Sequence, residues 1–198
     1  AKQLMPAGSW VGFQSNGLLI DETRASSLVR AGLDRICLSL DAICPDTFRK
    51  IREGGEVKDL EQAFTALTTA RKRHPESTLR VGVEFVVMRD NIHQLPDVLR
   101  WVASRGVSFA IVSHLLPYDS GHVAQIAYDY NTQEAVELFS RWRKRGEEQG
   151  IDISNFFHVY HCKFIRTPEE HAADQLRRLR LTLSYAGAHC PYYRDLFQ

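Results

Sequence analysis

The stretch RICLSLD, residues 35–41, alternates between apolar and polar side chains in the manner of a half-buried strand. Its even-numbered residues are isoleucine or leucine, and its odd-numbered residues from Cys37 through Ser39 to Asp41 are small or polar. A hydroxyl and a carboxylate at the end of so apolar a strand need a polar environment. The stretch therefore predicts a strand with one face in the core and the other lining a polar cavity.

Strand-like and helix-like segments alternate on both sides of this stretch. The predicted strands are 10–14, 35–40, 79–88 and 107–115, and the main predicted helices are 21–31, 57–73, 94–104 and 132–149. Such alternation indicates parallel βαβ units with right-handed crossovers. We predict an α/β fold, a parallel-stranded partial (β/α) barrel of about four strands over residues 1–118. Residues 119–198 are predicted to form a mainly helical C-terminal extension packed on it.

Composition excludes several classes of partner. The 198 residues carry 25 Lys and Arg against 24 Asp and Glu, so no overall field attracts nucleic acid. No apolar run approaches the roughly 20 residues of a membrane helix, so we expect no membrane partner. The four cysteines form no C-x-x-C pair, which favours a cytoplasmic protein with reduced thiols. The chain starts without Met and almost at once in a strand, so we expect further residues upstream.

Polar residues recur near the carboxyl ends of the predicted strands. They are Gln14 and Asn16, Ser39 and Asp41, Glu84, and either Ser113 or His114. Asn16 and Asp41 also suit turns and helix caps, but Glu84 lies inside an apolar strand, where a carboxylate is costly without a partner. Ligands of α/β proteins bind at the carboxyl ends of parallel strands. The pattern predicts a polar ligand site at that end of the sheet.

Three segments resemble radical S-adenosylmethionine (radical SAM) enzymes. SNGLLI, residues 15–20, is similar to the strand-then-"TNG" segment of that family. LVRAGLDRICLSLDAICPDTFRKIREGG, residues 28–55, resembles its "L..aGld.i.vSlDg..pe.y..iRg" segment, and residues 81–118 resemble its later strand–helix–strand unit. The resemblance implies a complete or partial (β/α) barrel. It also implies S-adenosylmethionine (SAM), which a [4Fe–4S] cluster cleaves reductively to start radical chemistry on a substrate.

The resemblance also implies which residues contact the cofactor, while no residue is assigned a catalytic role. By position in the motifs, Ser15 and Asn16 lie near the methionyl and ribose groups, and Arg52 pairs with the SAM carboxylate. The implied cofactor-binding residues are Ser15, Asn16, Ser39, Asp41, Arg52, Glu84, Asn91, His114, Leu115 and Pro117.

The chain departs from the family in its cysteines. The CxxxCxxC loop that holds the cluster is absent, so the resemblance implies that the cluster ligands lie upstream and that this chain alone performs no radical chemistry. No metal ligand is assigned within the chain. His158, His161, Cys162 and Cys190 have the ligand types for zinc or an auxiliary cluster, but no spacing motif supports them.

Two alternatives stay open. The same cavity could belong to a binding module without a cluster that holds a nucleotide-like ligand. A metal-dependent (β/α)-barrel hydrolase or aldolase is a further alternative, for which Asp41, Glu84 and His114 are the available strand-end residues. The sequence does not select among peptide, lipid and small-molecule substrates. A partial barrel leaves sheet edges exposed, so we expect a homo-oligomer formed through those edges.

Overall fold

A computed structural model of the chain describes residues 9–116, 120–128 and 132–155. All of these residues belong to one compact unit, Ala1–Phe157, and a second unit, His158–Gln198, lies outside the described residues. The predicted division of the chain at residue 118 stays a prediction.

Strands and helices alternate through the described residues. The strands are β1 (Gly12–Ser15), β2 (Arg35–Ser39), β3 (Arg80–Val87), β4 (Phe109–His114) and β5 (Asp152–Asn155). The helices are α1 (Glu22–Arg30), α2 (Pro45–Ile51), α3 (Val57–Arg73), α4 (Leu95–Ala103), α5 (Ser120–Ala124) and α6 (Gln133–Glu148). A 3₁₀ turn, Ile92–Gln94, leads into α4.

The strands form one parallel sheet in the order β1-β2-β3-β4-β5. Spatial order that follows chain order is the winding of a (β/α) barrel. The α/β class and the parallel sheet predicted from the sequence are confirmed, and β5 adds a fifth strand to the expected four. At four residues, β5 is as short as β1.

One face of the sheet packs against the helices and forms the core. Leu38 of β2, Val83 and Phe85 of β3 and Phe64 of α3 are fully buried there. Phe64 also meets Trp101 of α4 edge to face, with ring centroids 5.9 Å apart. Burying each such side chain contributes about 1.5–3 kcal/mol, so this face anchors the strands whose ends carry the polar residues.

The end of α1 sets where β2 begins. Gly32 has φ of +74°, a left-handed conformation that glycine adopts without steric cost. The N–H of Leu33 then donates to the carbonyl of Leu28 at 3.2 Å, and the N–H of Gly32 donates to Val29 at 3.0 Å. These two bonds form a Schellman motif that directs the chain out of the helix and into β2.

In the described sheet, β1 and β5 are the outer strands. Trp10 and Phe13, just before and within β1, are 55% and 44% exposed. The homo-oligomer expected from the sequence stays a prediction. Among the described residues, none of the helices has the length and apolar character needed to cross a membrane.

Candidate functional site

The sheet face away from the helices carries a row of polar side chains at the carboxyl ends of the strands; we call it the polar face. Ser39 lies in register with Glu84 on the neighbouring strand. Gln14 of β1 donates from Nε2 to the hydroxyl of Ser39 at 3.4 Å, and Ser113 of β4 hydrogen-bonds the Glu84 side chain. The register therefore brings polar residues from four strands together at one end of the sheet.

An ion pair closes the end of this row. Asp41, which follows β2, is 1% exposed. Arg52, which follows α2, donates from Nε to its Oδ2 at 2.6 Å, and its Nη2 lies 2.6 Å from the same oxygen as an ion-pair contact. The other carboxylate oxygen of Asp41 accepts the backbone N–H of Val86 at 2.8 Å. Burial raises the pKa of Asp41, while the Arg52 guanidinium and the Val86 N–H oppose that rise.

The buried side-chain amide of Asn91 holds the backbone at Asp41 and Val86 in place. Asn91, fully buried, donates from Nδ2 to the carbonyls of Asp41 at 2.9 Å and Val86 at 2.8 Å. Its Oδ1 accepts the N–H of Met88 at 2.7 Å. All three bonds go to backbone atoms, so Asn91 fixes the spacing of the ends of β2 and β3.

Gln94 binds the residues at the start of α2. It is not among the site residues predicted from the sequence. Its Oε1 accepts the N–H groups of Ile43 and Cys44 at 3.2 and 3.0 Å, and its Nε2 donates to Thr47 at 3.0 Å. Because these partners are about 50 residues away along the chain, no local pattern signals the role of Gln94.

Glu84 is the half-buried carboxylate of the polar face. Burial raises its pKa, and the negative charge of Asp41 raises it further, while Arg52 and the Ser113 hydrogen bond act in the opposite sense. Two carboxylates thus share one guanidinium. When both are ionised, the site has excess negative charge and favours a cationic or hydrogen-bond-donating ligand.

The described cysteines do not fit an iron–sulfur cluster, which needs several thiolates directed at one point. Cys37 is buried on the polar face, and burial, with a smaller effect of Glu84, raises the pKa of its thiol to about 12. Cys44 is exposed at the start of α2. Across the described part of the chain, no three His, Cys, Asp or Glu side chains cluster to hold a metal ion.

The structure separates some residues that the resemblance grouped. Ser15 accepts the N–H of Gly17 at 3.1 Å, and Asn16 accepts the N–H of Leu18 at 3.2 Å, so both side chains cap a turn. His114 is in register with Val87 on the face opposite Glu84, which selects Ser113 for the polar face. Leu115 follows β4. The others lie outside the described residues: Pro117, His158, His161, Cys162 and Cys190.

A solved structure has the same fold. SuiB from Streptococcus suis, bound to S-adenosylmethionine, superposes with a TM-score of 0.55 over 73% of this chain and 32% of that chain. The two sequences are 11% identical, so this likeness concerns the fold alone. No protein-family model matches the sequence.

Fold, strand-end motifs and sequence similarity together show that the chain is similar to radical SAM proteins. It is 28% identical over 130 residues, 65% of this chain, to a tungsten-containing aldehyde ferredoxin oxidoreductase cofactor-modifying protein from Pyrococcus furiosus. It is 27% identical over 172 residues, 79% of this chain, to a "Probable GTP 3',8-cyclase" from Methanococcus aeolicus. The chain covers 36% and 54% of the length of these relatives.

Proposed function

We propose that this chain is the SAM-binding portion of a radical SAM enzyme and that SAM lies along the polar face. The observation that carries the proposal is the row Gln14, Ser39, Glu84 and Ser113, which ends at the Asp41–Arg52 pair. Ser39 is buried and Glu84 is half-buried, so a polar ligand or solvent must satisfy their remaining hydrogen bonds. Bound SAM supplies the deoxyadenosyl group from which the chemistry of the class starts.

The charges of SAM suit this surface. SAM carries a sulfonium and an ammonium group against one carboxylate, and the polar face carries two carboxylates against one guanidinium. Glu84 and Ser39 are placed to accept hydrogen bonds from ammonium or ribose donors. Arg52 uses Nε and Nη2 for Asp41 and keeps its Nη1 group for the ligand carboxylate.

Asn91 acts through the backbone in this proposal. With its three polar bonds all made to main-chain atoms, it holds the Asp41 loop and does not touch the ligand. The described residues do not fit the cluster, so no step is assigned to it here. The substrate class of the whole enzyme stays open.

Isothermal titration of the full chain with SAM tests the proposal. We expect saturable binding that Glu84→Gln weakens by about tenfold, because it removes a charge-assisted hydrogen bond. Asp46→Asn, at an exposed carboxylate that pairs with Arg49 on α2, is the matched control and leaves binding unchanged.

Two results would count against this assignment. Wild-type protein that fails to bind SAM, or a Glu84→Gln variant that binds as well as the Asp46→Asn control, would remove the polar face as the SAM site. Adenosine binding as tightly as SAM, with no dependence on Glu84, would instead support the binding module without a cluster.

A further inference from the structure

A second charged feature lies at the other end of the polar face, where the strands begin. Arg35 of β2 and Arg80 of β3 are register partners on adjacent parallel strands, so their side chains leave the same face. Neighbouring strands are about 4.8 Å apart. The two arginines therefore leave the sheet at neighbouring positions, and both side chains are partly exposed.

Each arginine stacks on an aromatic ring. The Arg35 guanidinium carbon lies 4.5 Å from the centroid of the Trp10 ring, and that of Arg80 lies 5.4 Å from the centroid of the Phe109 ring. Stacking fixes the plane of a guanidinium group but leaves its N–H edge available. The two rings come from opposite sides, Trp10 from just before β1 and Phe109 from β4, and so flank the pair.

Glycines make room for both rings. A Cβ added to Gly82 would lie 2.2 Å from two carbons of the Phe109 ring. A Cβ added to Gly12 would lie 2.9 Å from a carbon of the Trp10 ring and 2.9 Å from Cβ of Arg35. The same three-part arrangement of glycine, aromatic ring and arginine thus occurs twice, in adjacent positions.

The charge of the pair is only partly balanced within the described residues. Asp152, 68% exposed, lies 3.6 Å from Nη2 of Arg80. Among those residues, Arg35 makes no side-chain hydrogen bond or ion pair, although its guanidinium offers five N–H donors. Like charges in register on adjacent strands destabilise a sheet, so this pair favours the arrival of an anion.

A third arginine, Arg105, also stacks on an aromatic ring but has its N–H donors satisfied. Arg105 lies 3.7 Å from the centroid of the Trp101 ring, but its donors bond the carbonyl of Trp101, the hydroxyl of Ser104 and the carboxylate of Glu61. Its stacking belongs to a satisfied structural network. Arg35 and Arg80 also stack on rings, but within the described residues their only polar side-chain contact is the one between Arg80 and exposed Asp152.

We propose that Arg35 and Arg80 form a binding site for a phosphate group. Planar guanidinium edges match phosphate oxygens in paired hydrogen bonds, and two arginines on neighbouring strands supply the charge that a doubly charged anion needs. Arg35 begins β2 and Asp41 follows its end, a separation of roughly 20 Å along the strand. The site is therefore distinct from the SAM site proposed above and does not depend on it.

Titration of the full chain with inorganic pyrophosphate, at constant ionic strength and without SAM, tests the site. Arg35→Gln and Arg80→Gln should each weaken binding by about tenfold or more. Arg105→Gln should leave binding unchanged. Asp152→Asn should tighten it, because the variant removes the carboxylate that competes for Arg80. Arg35→Lys keeps the charge and loses the planar fork, so it should bind more weakly than wild type and more tightly than Arg35→Gln.

Circular dichroism of each variant establishes that it folds, and Arg35→Lys stands in for Arg35→Gln if the latter does not. Pyrophosphate affinity weaker than about 1 mM in the wild type would overturn the proposal. Equal loss in Arg105→Gln would do so too, because binding would then follow net charge and not this pair of arginines.

Discussion

Arg52 places Nε and Nη2 on a single oxygen of Asp41, both at 2.6 Å, and leaves the other oxygen to the backbone of Val86. The arrangement balances a carboxylate that is 1% exposed with a guanidinium group that stays one-third exposed. One side chain thus neutralises buried charge and still reaches the surface. This pairing joins α2 to the ends of β2 and β3 and makes the site a single unit.

Removing Arg52 should destabilise the fold. Arg52→Ala leaves Asp41 buried without its countercharge, and we expect a loss of about 2 kcal/mol in the free energy of unfolding, discounted for the exposure of Arg52. Arg49→Ala is the control. Arg49 is exposed and pairs with exposed Asp46 and Glu56, so this variant should lose much less stability than Arg52→Ala. Urea denaturation followed by circular dichroism measures both, and equal losses would contradict the account.

Asn91→Ala should destabilise the fold more than the few atoms that it removes would suggest. The substitution leaves the carbonyls of Asp41 and Val86 and the N–H of Met88 without their buried partner. We expect a loss of about 2–3 kcal/mol, compared with under about 1 kcal/mol for Asn16→Ala on the exposed turn. A small effect in urea denaturation would show that water replaces the amide and that the loop does not need it.

Glu84 should give the protein a pH-dependent stability of definite sign. Because its pKa is raised in the folded chain, the folded state binds the proton more tightly than the unfolded state. Its contribution is therefore most favourable below the unfolded value of about 4.3 and is lost as the pH rises through the raised folded value. Glu84→Gln should be more stable than wild type at neutral pH, and this difference should vanish in acid.

Denaturation curves across that pH range, with the exposed Glu53→Gln as control, check the sign for Glu84. If the wild type became more stable relative to Glu84→Gln as the pH rises, the pKa of Glu84 would be lowered in the folded state and not raised. It would mean that Arg52 and Ser113 outweigh burial at this carboxylate.

Two of the thiols should react very differently. Hydrogen bonds from Thr47 and Asp46 lower the pKa of exposed Cys44, whereas burial raises that of Cys37 to about 12. Iodoacetamide labelling with peptide mapping should therefore modify Cys44 at lower pH than an ordinary exposed thiol, and spare Cys37 until the protein unfolds. Thr47→Ala should slow labelling of Cys44 at neutral pH. Comparable labelling of both thiols in folded protein would refute this prediction.

Gly82→Ala should reveal how closely Phe109 lies over β3. The added methyl group would meet ring carbons 2.2 Å away, so we expect a loss of about 1–3 kcal/mol from overpacking. The double variant Gly82→Ala/Phe109→Leu should recover part of that loss, because the smaller side chain vacates the space. Additive effects in thermal denaturation would show that the cost of Gly82→Ala does not come from contact with the Phe109 ring.

The location of the site could be predicted from the sequence because parallel strands end at the same edge of a sheet. Ser39 and Glu84 were assigned to that edge separately, and the register brings them together. Partners contributed by distant segments could not be predicted. The hydrogen bond from Arg52 to Asp41 has no counterpart in the periodicity of the sequence. The same is true of the hydrogen bonds that Gln94 makes at the start of α2.

Local patterns also left side-chain direction undecided where a strand ends. Ser113 and His114 are consecutive, and only the pairing of Val87 with His114 shows that Ser113 shares the face of Glu84. Shifting that register by one residue would exchange the two side chains. Ser15 and Asn16, similar in sequence to cofactor-binding residues, bond their own turn in the structure.

The sequence by itself determined the α/β class, the parallel strands and the end of the sheet at which polar groups collect. It could do so because apolar periodicity and helix–strand alternation are local properties of the chain. Only the tertiary structure decided the pairing of Asp41 with Arg52, the clamp of Asn91 and the adjacent stacking of Arg35 and Arg80. Those contacts depend on the register of strands some 45 residues apart along the chain, which the packing of the whole core sets.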